Sequence, residues 1–75
     1  MLVGVPKEIK SHENRVGLVP SSVREIIRAG SDVLVEKGAG LGIGISDDDY
    51  RNAGAEVVDT ADDVFANAEL IVKVK

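Results

Sequence analysis

Pro20-Ser21-Ser22-Val23-Arg24-Glu25-Ile26-Ile27-Arg28-Ala29-Gly30-Ser31-Asp32-Val33-Leu34-Val35 decides the fold, because it reads as one helix followed by one buried strand. Val23, Ile26 and Ile27 fall at i, i+3 and i+4 and form a single apolar stripe. Pro20 suits a helix start, and Ser22 with Glu25 has capping-box spacing. Gly30 suits the left-handed residue that stops a helix. Val33-Leu34-Val35 then runs apolar without alternation, as a strand covered on both faces does.

The same unit recurs on either side. Leu2-Val3-Gly4-Val5, ended by Pro6, reads as a first strand. Ser46 with Asp49 caps a second, short helix expected to stop at Gly54, and Glu56-Val57-Val58 reads as a third strand. Thr60 with Asp63 opens a third helix, with Val64, Phe65 and Ala68 as its buried side. Leu70-Ile71-Val72-Lys73-Val74-Lys75 is the expected last strand, and Tyr50 is expected in the core with Phe65. The order β-α-β-α-β-α-β predicts an α/β class: a Rossmann-like parallel sheet with right-handed crossovers. The chain ends at that last strand with no crossover helix to cover it, which leads us to expect a partial domain, or a cover supplied by another polypeptide.

Composition narrows the function classes. The 75 residues are 44% hydrophobic and 29% charged, which fits a globular protein and neither a disordered chain nor a membrane span. A chain of this size buries only ~60% of its unfolded surface, so it is marginal on its own. It has no cysteine to compensate. The net charge is −4, and the nine basic residues form no block, which disfavours a nucleic-acid partner. The first residues lack the basic and long apolar regions of a signal peptide, so a cytoplasmic protein with no membrane partner is expected.

In parallel α/β sheets, ligands bind beyond the carboxyl ends of the strands. Arg15 lies in the polar segment after the first strand. Lys73 and Lys75 flank Val74, and strand alternation would aim both lysines at one face. A guanidinium matches a carboxylate and an ammonium can polarise a carbonyl oxygen, so the pair would suit a 2-oxo or 2-amino acid. Spacing alone favours the plainer reading, a solvated arginine and two edge lysines that resist aggregation. Glu8 and Glu13 could orient Arg15, or stay solvated. His12 is the single histidine and is expected to be exposed and non-catalytic. Gly38-x-Gly40 invites a dinucleotide reading, but Ile43 stands where the fingerprint needs Gly or Ala. Asp47-Asp48-Asp49 suits a helix's first turn better than a metal, since three consecutive helical residues cannot face one ion.

Met1-Leu2-Val3-Gly4-Val5-Pro6-Lys7-Glu8-Ile9-Lys10, then Glu13-Asn14-Arg15-Val16 and Pro20, resembles the opening of the alanine dehydrogenase family. So do Val35-Glu36-x-Gly38-Ala39-Gly40, Ala53-Gly54-Ala55-Glu56 and the closing Val72-Lys73-Val74-Lys75. The resemblance implies an oxidoreductase that interconverts L-alanine with pyruvate and ammonia using NAD. Residues 1–75 would be the N-terminal part of its substrate domain, the N-terminal fragment of a larger two-domain enzyme. Arg15 would bind the substrate carboxylate, and Lys75 would be both substrate-binding and catalytic. NAD, a catalytic histidine and a catalytic aspartate would belong to chain beyond residue 75, with no cofactor or metal site in this segment. The family tends to form homohexamers. The N-terminal segment of the proton-translocating NAD(P) transhydrogenase alpha subunit is similar and shares the arginine, but typically lacks a lysine matching Lys75. A non-catalytic half-domain that pairs through its last strand is the other alternative.

Overall fold

The computed structural model describes residues 1–9 and 15–74. Its elements run β1 (Leu2–Val5), α1 (Pro20–Arg28), β2 (Asp32–Glu36), a 3-10 turn (Leu41–Ile43), α2 (Asp47–Asn52), β3 (Glu56–Val58), α3 (Ala61–Asn67) and β4 (Leu70–Ile71). The sheet is parallel throughout, in the order β3-β2-β1-β4. Val3 pairs with Val33 and Val5 with Val35, while Gly4 pairs with Ile71 on the other edge of β1.

The order follows from handed crossovers. Two right-handed units step from β1 to β2 to β3 and lay α1 and α2 on one face. The third unit steps back past β1, so α3 covers the opposite face. Alternation along the strands supplies both faces. Val3, Val5, Val33 and Val35 pack with Val23, Tyr50 and Ala53 in the core, with Ile26 and Ile27 against it. On the other face α3 lies so close to β1 that a Cβ on Gly4 would come within 2.6 Å of Ala68 Cβ and Val64 Cγ1.

Helix ends show why the elements stop. Gly30 and Gly54 take left-handed φ values of 101° and 105° after α1 and α2. The amides of Ser31 and Ala55 then close back on the carbonyls of Ile26 and Tyr50. Ser46 and Asp49 form a reciprocal capping box on α2, and the Thr60 hydroxyl accepts the Asp63 amide on α3.

Three expectations are corrected. Ser22 does not cap α1: the helix already starts at Pro20, after an extended Val19 without a side-chain cap. Proline's fixed φ and missing N–H make a start there cheap, and place Ser22 inside the first turn. Phe65 is 52% exposed rather than core. Val64 and Ala68, spaced i and i+4, form the stripe facing the sheet, and Phe65 lies a hundred-degree step away from it. The last strand is Leu70–Ile71 and does not extend to residue 74. Pro6 brings no N–H with which to continue pairing beyond β1. Strand alternation therefore does not orient Lys73, and Lys75 lies outside the described residues, as do His12 and Glu13.

Candidate functional site

Strand order reverses beside β1, where β2 leads off to one side and β4 lies on the other. In open parallel sheets this switch point leaves a crevice beyond the carboxyl ends of the strands. A cleft of about 250 Å³ opens at that end of the sheet. The segment after β1 supplies Lys7, Glu8 and Arg15 to its wall; the glycine-rich segment after β2 supplies Gly38, Ala39, Leu41 and Gly42.

Each wall is tied to the scaffold. The Lys7 amide donates to Glu36 Oε1 at 2.8 Å, which joins the chain leaving β1 to the end of β2. The Gly38 amide donates to Asp47 Oδ1 at 2.8 Å, so one aspartate of the first turn of α2 holds the glycine wall. The Tyr50 hydroxyl donates to the Leu18 carbonyl at 2.7 Å, and so secures the stretch that follows Arg15. Tyr50 is fully buried, and burial, with the Asp47 charge as a second cause, pushes its phenol up to about 12. Glu8 Oε2 accepts the Val74 amide at 2.9 Å.

The structure therefore brings Arg15 to a cleft and gathers Lys7 and Glu8 beside it. Two cations on one wall and glycine backbone opposite suit a small carboxylate, since an ammonium and a guanidinium both attract it and the guanidinium can grip it with paired N–H groups. Lys7 was not singled out in the sequence. The usable signal was the one that served Arg15: it directly follows a proline-terminated strand at its carboxyl end.

The other motifs resolve into structure. After β2 the chain makes a 3-10 turn, and α2 begins only at Asp47. Its first turn carries Asp47, Asp48 and Asp49, like charges that would repel a pyrophosphate. Asp48 pairs with Arg51 at 2.8 Å, and Asp49 caps. Among the described residues no group of three or more acidic, histidine or cysteine side chains is placed to hold a metal ion. Among them, too, no helix is long and apolar enough to cross a membrane.

Comparison with known proteins bears on this geometry directly. An "Alanine dehydrogenase" of Methanococcus maripaludis is 56% identical over all 75 residues, and one of Mycolicibacterium smegmatis is 53% identical over the same span. The chain covers 20% of the length of each. Among solved structures, an L-alanine dehydrogenase superposes with a TM-score of 0.94 at 53% identity, covering 97% of this chain and 20% of that one. A transhydrogenase from Sinorhizobium meliloti superposes with a TM-score of 0.90 at 42% identity, covering 97% of this chain and 21% of that one. The family model described as "Alanine dehydrogenase/PNT, N-terminal domain" matches residues 4–75. A family model that matches almost the whole length, and relatives 53–56% identical along all of it, place the chain in the alanine dehydrogenase/PNT N-terminal domain family.

Proposed function

We propose that this chain forms the substrate-carboxylate side of an NAD-dependent alanine dehydrogenase, which reversibly deaminates L-alanine to pyruvate and ammonia. The observation that carries the reading is Arg15 in the wall of a cleft at the carboxyl ends of the strands, in a chain 53–56% identical along its full length to proteins named alanine dehydrogenase. In this reading residues 1–75 are the N-terminal part of the substrate domain. Arg15 grips the carboxylate of alanine or pyruvate and sets which face of Cα is presented. Lys75 polarises the carbonyl oxygen of pyruvate, or contacts the amino group of alanine. Lys7 adds positive potential that draws the anion in. NAD, the hydride carrier, is held by chain beyond this segment, which is consistent with the aspartate-crowned start of α2. A cytoplasmic homohexamer is the assembly we expect.

The test uses a full-length protein carrying this segment. Alanine-dependent NADH formation should be robust in the wild type and strongly reduced in Arg15→Ala; undiminished activity in the variant would remove the role given to Arg15. The isolated 75-residue chain should show no turnover. Transhydrogenation remains a second reading because of the 0.90 TM-score with the Sinorhizobium meliloti protein. Lower identity and the lysine at position 75 make it the weaker one, and hydride exchange between two nicotinamide nucleotides without alanine would favour it.

A further inference from the structure

We propose that Glu8 is a positioning residue that holds residues 72–74 against the segment carrying Arg15, by clamping the chain that leaves β4 to the chain that leaves β1. The inference rests on the substrate-site reading given above. Glu8 lies in the cleft wall with Arg15, yet its Oε2 accepts the backbone amide of Val74, 66 positions further along, at 2.9 Å in a part-buried setting. That bond spans the switch point from one side to the other. Val74 lies beyond the end of β4, and there a side-chain carboxylate satisfies its amide in place of a main-chain carbonyl.

Two further contacts hold the same stretch. The Val72 amide donates to the Gly4 carbonyl at 2.9 Å. Gly17, two residues beyond Arg15, packs on the Val72 main chain so tightly that a Cβ there would run into the Val72 carbonyl. Residues 72–74 are thus fixed from β1, from the Arg15 segment and from Glu8. A side chain on Gly17 would wedge the two halves of the site apart; a missing acceptor at residue 8 would free the last amide before Lys75. The bond to Val74 itself needs an acceptor at the reach of a glutamate.

Two conservative replacements separate reach from charge, in a full-length protein carrying this segment. Glu8→Gln keeps the reach and an acceptor oxygen and loses the charge. Glu8→Asp keeps the charge and loses one methylene of reach. We expect kcat for alanine oxidation to fall about 10- to 100-fold in Glu8→Asp and Glu8→Ala, since a displacement near 1 Å is costly to catalysis. KM should change little, and the pH at half-maximal kcat should be displaced, which partial unfolding would not do. Glu8→Gln should recover most of kcat at an unshifted pH profile. The reverse pattern, with Glu8→Asp intact and Glu8→Gln impaired, would overturn the clamp, as would wild-type kinetics in all three. If the wild type does not oxidise alanine, the functional reading fails on its own. Hydrogen exchange in residues 70–75 still tests the clamp: faster exchange at Val74 in Glu8→Asp but not in Glu8→Gln supports it, and equal exchange overturns it.

Discussion

Two clefts of about 250 Å³ open at opposite ends of the same sheet. The one at the carboxyl ends is lined by Lys7, Arg15 and Glu8 against glycine backbone. The one at the amino ends is lined by the first residues of three strands, Leu2, Asp32 and Glu56, with Val33, Leu34 and Gly54. Equal volume and opposite charge make them a controlled pair. Volume alone does not mark a binding site; strand polarity and charge do. At the carboxyl ends, loops leave neighbouring strands in different directions, and side chains distant in sequence meet there. At the amino ends Asp32 and Glu56 would repel a carboxylate.

The sharpest way to break this contrast is Arg15→Ala in a full-length protein carrying the segment. Losing a bidentate, charge-assisted pair should lower kcat/KM for pyruvate reduction about 100-fold. Steady-state kinetics checks it, and most of the loss should appear in KM. Lys7→Ala should raise KM for pyruvate about 3-fold at low ionic strength, and the gap should close in high salt, because a solvated cation acts by screened attraction. Measuring KM across a salt series tests whether Lys7 steers or grips.

Tyr50 sharpens the comparison from the scaffold side, because its hydroxyl anchors the stretch after Arg15. Tyr50→Phe should cost about 1 kcal/mol in denaturant unfolding, the usual worth of one hydrogen bond. Its pH dependence has a definite sign. The phenol's pKa is about 12 in the folded protein and 10.0 in the reference state. The contribution is therefore complete below pH 10 and is lost as pH rises towards 12, where the unfolded chain gives up its proton first. Tyr50→Phe should flatten the stability curve in that window, and an unchanged curve would remove Tyr50 as its cause. The smallest effect belongs to the acidic cleft. Asp32→Asn and Glu56→Gln should each leave kcat/KM within about 2-fold of wild type, as exposed charges remote from a site do. A larger change in either would erase the distinction between the two ends.

Much of the fold was legible because local chemistry and global order agree. The glycine stops at 30 and 54, and the caps at Ser46 and Thr60, are short-range signals, and each does in the structure what its spacing implies. The failures are equally local. Ser22 and Pro20 offered competing starts to α1, and proline's fixed backbone prevailed. Phe65 was assigned to the core for its hydrophobicity, although the stripe through Val64 and Ala68 leaves it outside. The last strand is apolar enough in composition to run further, whereas its length depends on a partner strand that Pro6 cuts short after Val5.

The site was legible to the extent that it depends on position along a strand. Arg15 follows from the rule about carboxyl ends. Lys7 obeys the same rule but was hidden, because spacing does not distinguish a lysine in a cleft wall from one in solvent. The Glu8 clamp could not be read at all: it joins residues 66 positions apart and exists only once β4 lies beside β1.

The central claim is that Arg15 at the switch point binds the substrate carboxylate. Calorimetric titration of the full-length protein with oxamate, an unreactive analogue of pyruvate, tests it without turnover. We expect Arg15→Ala to weaken oxamate binding about 100-fold while Asp32→Asn binds as the wild type does. Wild-type affinity in Arg15→Ala would contradict the claim.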